Sequence, residues 1–392
     1  MKTKQWAIGI LILSNFLICL GISMVIPVIP YIKNLLHLTA TDMGIMNALY
    51  AFAQFLASPL VGRISDRIGR KQIIIFGLLL YAISEVIFAL GNTLAMLNIS
   101  RIVGGISAAM VIPTSMALAS DLTTMKQRAK VIGWLSAAFS GGLILGPGIG
   151  GVLARIDYKL PFWGAAVLGL ISAIVALTAL SNAPISEDEA QAQNQGPQLG
   201  SWAVMKSFPT SLLLLFFMIL VSSFGLAGFE GVYSIYVNSV HHFDLDDIAI
   251  VLVLNGIISL IAQVVFFEPL VNRFKESRII QFCFFFGFIG VVLIVFVHAK
   301  WSVIVATLIV FTAFDLLRPA ITTLITKMAG RQQGLVSGIN MSLTSVGNVV
   351  GPIMSGMLLD VNQHYAYLVV AVILLISFFI AFSIRDRRIF AH

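Results

Sequence analysis

Long apolar runs constrain the fold of this chain more than any other feature of its sequence. The 392 residues are 59% hydrophobic and 10% charged, with a mean hydropathy of +0.99. Sparse charges separate twelve apolar runs, each close to the roughly 20 residues that a helix needs to cross a membrane. These runs predict an all-α membrane protein with twelve transmembrane helices. The predicted spans are 6–30, 43–62, 72–91, 94–119, 130–153, 161–181, 209–238, 248–270, 278–298, 301–326, 334–358 and 365–384.

The basic residues are distributed asymmetrically between the predicted loops. Of the 24 Lys and Arg, eighteen fall on the side of the N-terminus and four on the other side, while Arg101 and Arg318 lie inside spans. An excess of Lys and Arg marks the cytoplasmic side of a membrane protein. We therefore expect a multi-pass cell-membrane protein with both termini in the cytoplasm. The net charge of +7 is explained by this topology, so nucleic acid is not an expected partner.

A polar segment, 182–207, divides the apolar runs into two sets of six. Its Ser, Gln, Asn, Gly and acidic residues show no apolar periodicity and predict a cytoplasmic linker. The predicted domains are an N-terminal six-helix bundle, 1–181, and a C-terminal six-helix bundle, 208–392. The motif SPLVGR at 58–63 also returns as EPLVNR at 268–273, although the second loop then diverges. Two similar halves are typical of transporters.

A stripe of small residues occurs once in each half, at 142–151 and at 347–356. Within each copy the small residues recur every four positions, so they share one face of a helix. Such a stripe lets two helices approach closely, and the proline inside it removes a backbone hydrogen bond and adds a bend. Ordinary helix packing is one interpretation, and the repetition favours another, a bent gate built twice. The positions are Gly142, Gly146, Pro147 and Gly150, repeated as Gly347, Gly351, Pro352 and Ser355.

Five charged residues lie well inside predicted spans, where charge is costly and is often functional. Asp315 and Arg318 are three residues apart on one helix face, so a structural ion pair is the alternative to a functional role. Glu230 has no basic neighbour in its own span. A carboxyl group isolated in this way is expected to take up a proton, and we interpret Glu230 as a proton carrier. Glu85 and Arg101 are expected to face protein or water.

Other chemistries find no support in the sequence. It contains no phosphate-binding Gly-Lys-Ser/Thr motif and no HExxH or GxSxG motif, so neither an ATPase nor a hydrolase is predicted. His241 and His242 stand near acidic residues but without a recognised metal-ligand spacing, which favours a solvated loop. Cys19 and Cys283 both lie in spans, so a disulfide is not expected. We expect no enzyme activity, metal or cofactor, and an energy source in an ion gradient or in the substrate itself.

Several motifs together resemble the twelve-helix drug/proton antiporters of the major facilitator superfamily. The loop 62–71 reads Gly-x-x-x-Asp-Arg-x-Gly-Arg-Lys, as in the superfamily's signature loop. Arg101 and the glycines after it resemble the fourth-helix motif, and 142–151 resembles the antiporter motif. The stretch 21–30 is similar to the first-helix motif. The likeness covers essentially the whole chain. Residues around Glu230, Asp315 and 347–352 also resemble multidrug exporters of Gram-positive bacteria.

This resemblance implies two bundles that alternate between inward-open and outward-open states and exchange an external proton for a drug. It also implies residue roles, with one departure. Leu143 stands where the similar exporters carry phenylalanine, which bears on the substrate range. The implied proton-coupling residues are Glu230, Asp315 and Arg101; the substrate-binding residues are Phe16, Gln54, Phe311, Arg318 and Asn340; and the gating residues are Asp66, Arg70, Gly146, Pro147 and Gly150.

The predicted function is proton-coupled export of amphipathic, often cationic compounds such as quinolones and dyes. The expected partners are small-molecule drugs, protons and membrane lipid, and the protein is expected to be a monomer. Two alternatives stay open. One is a transporter of the same fold for a single metabolite such as a sugar, a siderophore or a lipid. The other is a membrane receptor or scaffold that transports nothing. Transport of several unrelated dyes would separate the first prediction from the metabolite transporter, and a cavity with titratable acids is what distinguishes transport from a receptor or scaffold.

Overall fold

Helices account for every regular element in the computed structural model, which describes residues 2–123, 125–180, 210–328 and 333–383. The elements are α1 (Lys2–Met24), α2 (Ile29–Leu35), α3 (Ala40–Ile68), α4 (Arg70–Leu90), α5 (Leu94–Leu122), α6 (Met125–Ala154), α7 (Leu160–Ala179), α8 (Thr210–His241), α9 (Leu245–Ile261), α10 (Phe267–Phe296), α11 (Lys300–Met328), α12 (Gln333–Val361) and α13 (Tyr365–Ala381). A 3₁₀ turn, Ile26–Val28, precedes α2, and a π-helical turn, Ala262–Phe266, joins α9 to α10.

Ten stretches of the described chain are long and apolar enough to cross a membrane. One of them, Leu245–Phe296, is 52 residues long and contains two predicted spans. Its helical backbone is interrupted at Lys275, where φ is 65° and ψ is 158°. With that stretch divided there and the 17-residue α13 added, the helices match the twelve predicted spans. The all-α membrane class is confirmed, while the predicted linker 182–207 lies outside the described residues.

The described residues form two compact units, each assembled from three pieces of the chain. Unit 1 comprises Met1–Leu38, Leu49–Asn194 and Phe243–Gly256, and unit 2 comprises Thr39–Ala48, Gln195–His242 and Ile257–His392. Because of these bounds, α3 begins in unit 2 and continues in unit 1, whereas α9 begins in unit 1 and ends in unit 2.

The two units repeat one pattern of helix packing. In unit 1, α1 packs against α6 and α7, and α4 packs against α5 and α7. In unit 2, α8 packs against α12 and α13, and α10 packs against α11 and α13 in the same order. The unit 1 core includes the buried Leu11, Ile74, Leu78 and Leu135. The sequence repeat is therefore also a repeat of helix neighbours.

Candidate functional site

The small-residue stripe of α6 lies against α1. A Cβ atom on Gly142 would come within 2.5 Å of the Phe16 carbonyl oxygen, and one on Gly146 within 2.6 Å of the Leu20 carbonyl oxygen. Ordinary Cβ contacts measure 3.4–4 Å, so only glycine permits this approach. The Ser23 hydroxyl lies 3.1 Å from the Gly142 carbonyl oxygen, within hydrogen-bonding distance. The close helix approach expected from the spacing is present, with α1 as the partner.

A second side of α6 faces the first turns of α9. A Cβ atom on Gly148 would lie 3.2 Å from the Val253 side chain, and one on Gly151 would lie 2.9 Å from Ala249. Gly150 instead faces α1, where an added Cβ would overlap the Met24 backbone. Small residues on two sides of α6 thus contact two different helices. The sequence predicted one stripe and did not indicate the second.

The stripe of α12 repeats this arrangement in unit 2. A Cβ atom on Gly347 would lie 2.7 Å from the Phe224 nitrogen, and one on Gly351 would lie 2.6 Å from the Phe224 oxygen. These contacts hold α12 against α8. On another side, a Cβ on Gly356 would meet the Ala40 carbonyl oxygen of α3 at 2.5 Å. The contacts of α12 with α8 and α3 therefore correspond to those of α6 with α1 and α9.

Each stripe continues through an internal proline, Pro147 in α6 and Pro352 in α12. Pro352 is in contact with two other helices. Its side chain would lie 3.1 Å from a Cβ on Gly231 in α8, and its carbonyl oxygen faces Gly44 in α3. The Asn47 amide also donates to the Gly231 carbonyl oxygen at 3.4 Å. The start of α3 is thus packed beside the part of α8 that carries Glu230.

Asp360, near the end of α12, caps the N-terminus of α3. Its carboxylate accepts hydrogen bonds from the backbone N–H groups of Ala40 and Thr41, both at 2.8 Å, and from the Thr41 hydroxyl at 2.5 Å. The first N–H groups of a helix have no partner inside the helix, and they favour a negative charge. No sequence pattern indicated this contact, because an acid at the end of a span resembles any solvated loop residue.

An ion pair joins the end of α6 to the start of α9 in unit 1. Arg155 Nε lies 2.7 Å from Asp246 Oδ1, and Nη2 lies 2.5 Å from Oδ2. The hydrogen bond and charge of Asp246 raise the pKa of the Arg155 guanidinium above its ordinary value. Both side chains are exposed, so solvent screens the pair and its contribution to stability is small.

The signature loop centres on Arg70, the buried first residue of α4. Its Nε lies 2.9 Å from Asp121 Oδ2 at the end of α5, and its Nη2 lies 3.8 Å from Asp66 Oδ1. Gly69, immediately before it, has a φ of 111°, which glycine adopts without strain. The predicted gating residues Asp66 and Arg70 are therefore neighbours. Sequence reasoning missed Asp121, which is their third member.

Unit 2 contains a similar charge pair with the signs exchanged. Glu276, buried in α10, pairs with Lys327 in the last turn of α11. Lys275, immediately before Glu276, has a positive φ, as Gly69 does in unit 1. Comparing the two halves of the sequence indicated only that this loop of the second half had diverged. The structure shows that the left-handed residue and the charge pair between helices are both kept.

The charged residues Glu85 and Arg101 lie close together in unit 1. Glu85 is buried, and its charge interacts with that of Arg101. The Arg101 guanidinium carbon lies 4.3 Å from the centroid of the Phe88 ring. Its Nε and Nη2 are buried and have no hydrogen-bond partner among the described residues. Arg101 therefore keeps donors available inside an apolar span.

Phe16 and Gln54, two predicted substrate-binding residues, also belong to unit 1. The Phe16 ring would lie 3.6 Å from a Cβ on Gly141 in α6. The Gln54 backbone nitrogen would lie 3.1 Å from a Cβ on Gly105, so α3 approaches α5 closely there. Both side chains are partly exposed, which leaves them able to contact a ligand.

The two predicted coupling acids interact in unit 2. Glu230 is exposed on α8, and its charge is within electrostatic reach of Asp315 on α11. Asp315 accepts a hydrogen bond from Ser259, which in turn accepts one from the Gln263 amide at 2.9 Å. The ion pair between Asp315 and Arg318, which was the alternative to a functional role, is absent from the described contacts. Arg318 is exposed and acts on Asp315 only electrostatically, because sharing a helix face does not bring the two groups into contact.

An aromatic cluster supports the helix that carries Glu230. The Phe311 ring packs edge-on against Phe229 at 5.2 Å and against Tyr233 at 5.5 Å between centroids, and Phe229 stacks on Tyr367 at 4.8 Å. Phe311 was predicted to line the substrate site, but only 3% of it is exposed. The structure buries it against Phe229 and Tyr233 of α8. Asn340, in contrast, is partly exposed on α12.

One protein family matches nearly the whole chain. Residues 11–330 and 215–389 match the family described as Major Facilitator Superfamily. The chain belongs to the major facilitator superfamily. The resemblance inferred from its motifs is confirmed.

This major facilitator chain has close relatives in sequence. It is 41% identical over 377 residues to Multidrug resistance protein 1 of Bacillus subtilis (strain 168), and the match covers 96% of each chain. It is 38% identical over 356 residues to the Quinolone resistance protein NorA of Staphylococcus aureus, with 91% of this chain and 90% of that protein covered. Both likenesses extend across nearly the full length.

Solved structures with the same architecture include two transporters of low sequence identity. A bacterial homologue of the human lysosomal transporter Spinster has a TM-score of 0.80 and 14% identity, covering 98% of this chain and 97% of the other. A mutant form of the nucleoside transporter NupG has a TM-score of 0.81 and 13% identity, covering 97% of this chain and 99% of the other. These matches establish the major facilitator fold.

Proposed function

We propose that this protein is a proton-coupled multidrug efflux transporter that exports amphipathic, often cationic compounds by alternating access. The names of two relatives that match over nearly the full length, a multidrug resistance protein and a quinolone resistance protein, support the drug-export class. The observation that carries the coupling is the occurrence of two acids, Glu230 and Asp315, inside apolar stretches of unit 2 that are long enough to cross a membrane. Quinolones and dyes are the proposed substrates.

The proposed coupling follows from the electrostatics of two neighbouring carboxyl groups. In an apolar span both groups are costly to ionise together, so the pair retains a proton more readily than two separate acids would. A cationic drug beside Glu230 offsets that cost and favours loss of the proton. Drug binding and proton binding then compete, which is what antiport requires. The Ser259 hydroxyl fixes the Asp315 carboxylate, and Gln263 orients Ser259.

The cycle has a direction set by the proposed topology. On the cytoplasmic side, the acid pair loses a proton and the drug binds. On the outer side, a proton binds to the pair and the drug leaves. Arg101 is proposed to assist proton transfer, because its buried nitrogens have donors free of partners in the described residues. The protein is proposed to lie in the cell membrane with both termini cytoplasmic and to work as a monomer.

Substrate contact is proposed for the partly exposed or exposed side chains Phe16, Gln54, Arg318 and Asn340. Aromatic and amide groups suit flat, amphipathic compounds, and an aromatic face attracts a cation. Phe311 is proposed to act indirectly, by holding α8 in position through Phe229 and Tyr233.

Gating is proposed to depend on the two sides of α6. Gly146 and Gly150 hold α6 on α1, so these helices are proposed to move together, with a bend at Pro147. The contact of Gly148 with α9 is proposed to open in the outward-facing state. Asp66 and Arg70 are proposed to close the cytoplasmic side, together with Asp121.

Dye transport in proteoliposomes with an imposed pH gradient tests this function. We expect Glu230→Gln to abolish gradient-driven ethidium transport and to leave ethidium binding to the purified protein largely intact. The matched control is Asp157→Asn, an acid in the α6–α7 loop, which should transport normally.

Normal transport by Glu230→Gln would remove Glu230 from the mechanism. A panel of unrelated dyes separates the alternatives, because transport of a single compound would favour a metabolite transporter. Absence of any transport by the unmodified protein would favour a receptor or scaffold.

A further inference from the structure

An apolar groove of about 620 Å³ lies on unit 2 among α9, α10 and α11. Its volume is within the range of small-molecule sites, roughly 300–1,000 Å³. Among its described lining residues, only Thr312 has an oxygen or nitrogen atom in its side chain. The walls include Ile258 of α9, Leu270, Phe274 and Phe282 of α10, and Leu308 and Leu316 of α11.

Three exposed basic residues, Arg273, Lys275 and Arg278, are interleaved with the groove residues in the first half of α10. The Arg273 guanidinium carbon lies 5.7 Å from the centroid of the Phe274 ring, which is part of the groove wall. Glu276, the acid within this segment, is buried and already paired with the basic end of α11. Three basic residues therefore lie beside the wall of the groove, with one paired acid among them.

The charge and the lining together select the occupant. All three groove helices belong to membrane-spanning stretches, so hydrocarbon is the medium around an apolar groove on their surface. A cationic drug is repelled by three basic residues beside the groove. A molecule with an apolar chain and an anionic head matches both the apolar lining and the basic segment. Arg presents a planar fork that suits phosphate oxygens, and clustered Lys and Arg at a membrane surface attract acidic lipids.

We propose that the groove and its basic segment bind one phospholipid with an anionic headgroup. The acyl chain lies along Phe274, Phe282 and Leu316, and the phosphate is held by Arg273 and Arg278 at the end of the groove. The site belongs to the leaflet that faces this basic segment, which is the cytoplasmic leaflet in the proposed topology. The groove is not part of the proposed drug site.

The consequence for the protein follows from the position of α11. Thr312 and Leu316 line the groove, and Asp315 lies between them in the same helical turn. A lipid chain in the groove therefore contacts the helix that holds one of the two interacting acids. Occupancy by an anionic lipid links the composition of the membrane to the packing of that helix.

Quenching of a single tryptophan by brominated lipids tests the site. The five native tryptophans are replaced by phenylalanine, and Phe282→Trp supplies a reporter in the groove. A matched reporter, Phe379→Trp, lies on α13, where the native side chain is 64% exposed and outside the groove lining. Each protein is reconstituted with dibrominated phosphatidylglycerol or dibrominated phosphatidylcholine at equal mole fractions.

We expect quenching of the groove reporter to show that phosphatidylglycerol associates with the groove at least about fivefold more strongly than phosphatidylcholine. Each basic residue near an acidic lipid contributes about a factor of five to the association constant. Phe379→Trp should show no preference. Replacing Arg273, Lys275 and Arg278 by glutamine should reduce the preference at the groove reporter to that of the control. Unbrominated phosphatidylglycerol should restore the fluorescence of the groove reporter that keeps its three basic residues, and unbrominated phosphatidylcholine should not.

Equal quenching of the groove reporter by both lipids would overturn the proposal, as would a preference that persists in the triple variant. Relief of quenching by ethidium but not by unbrominated phosphatidylglycerol would assign the groove to cationic drugs and overturn it too. The competition with unbrominated lipid uses only the groove reporter that keeps its three basic residues. It therefore tests the lipid site even where the triple variant fails to fold. Failure of drug transport has no bearing on either result.

Discussion

Removing the Asp360 carboxylate should release the start of α3 from α12. Asp360 accepts two backbone hydrogen bonds at 2.8 Å and one from the Thr41 hydroxyl at 2.5 Å. Asp360→Ala removes all three acceptors at once and leaves the Ala40 and Thr41 N–H groups to water. We therefore expect the contact between α3 and α12 to open more often.

The size of the effect follows from the cap. Loss of an N-terminal cap costs about 0.5–2 kcal/mol, and a charge at a helix N-terminus adds about 0.3–1 kcal/mol at an exposed site. Because Asp360 is exposed, we take about 1–2 kcal/mol in total. That change shifts a two-state equilibrium by about 5–30-fold.

A buried cysteine can report this opening. Met46 lies in the Thr39–Ala48 segment of unit 2 and is only 4% exposed. In a background without Cys19 and Cys283, the maleimide labelling rate of Met46→Cys is measured on the purified protein in detergent, so the result does not depend on topology. Asp360→Ala should raise that rate about 5–30-fold, in line with the cap energy.

Asp42→Ala is the matched control for the same helix end. Asp42 accepts hydrogen bonds from the Thr39 N–H at 2.9 Å and the Thr39 hydroxyl at 2.8 Å, a local cap that involves α3 alone. It should change the labelling rate of Met46→Cys by less than about twofold. If Asp360→Ala were labelled at the parental rate, the carboxylate would not hold α3 on α12 and the reasoning would fail.

Three further predictions concern the rest of the chain. Gly146→Ala should lower the free energy of unfolding by about 1–3 kcal/mol, because the added methyl group overpacks against α1. Gly133→Ala on the same helix should leave that free energy unchanged, because an added Cβ there meets nothing within 4 Å. Thermal unfolding of the two variants tests the difference. Glu276→Lys should reduce dye transport, and adding Lys327→Glu should restore it if their attraction is what matters. A cysteine at Gln193 should resist an impermeant reagent applied outside intact cells; labelling there would reverse the proposed topology.

The spans were predictable because their length is fixed by the membrane. Run length and hydropathy do not depend on which helices become neighbours, so each predicted span has a helix in the structure. The boundary inside Leu245–Phe296 was marked by charge. Charged residues around Lys275 indicated a loop between two spans, and the helical backbone is interrupted at that residue. Charge thus marked where one helix gives way to the next.

The glycine spacing predicted a close helix contact but not the identity of the partner. Gly146 faces α1 and Gly148 faces α9, although the two are separated by one residue. Asp360 shows the same limit more strongly, since its partner Ala40 is 320 positions away in the sequence. Local periodicity defines a helix face, whereas the neighbour on that face is a property of the whole fold.

The exchanged charges show why comparing residue types underestimates the internal repeat. Arg70 pairs with Asp121 in unit 1, and Glu276 pairs with Lys327 in unit 2. The attraction between two charges depends on their product, so exchanging the signs preserves it while changing both residue types. In each unit the pair follows a residue with positive φ and joins the helical segment that begins there to the end of the next helix. What is repeated is therefore an interaction at a fixed place in the fold, and a helix end can keep it through either sign of charge.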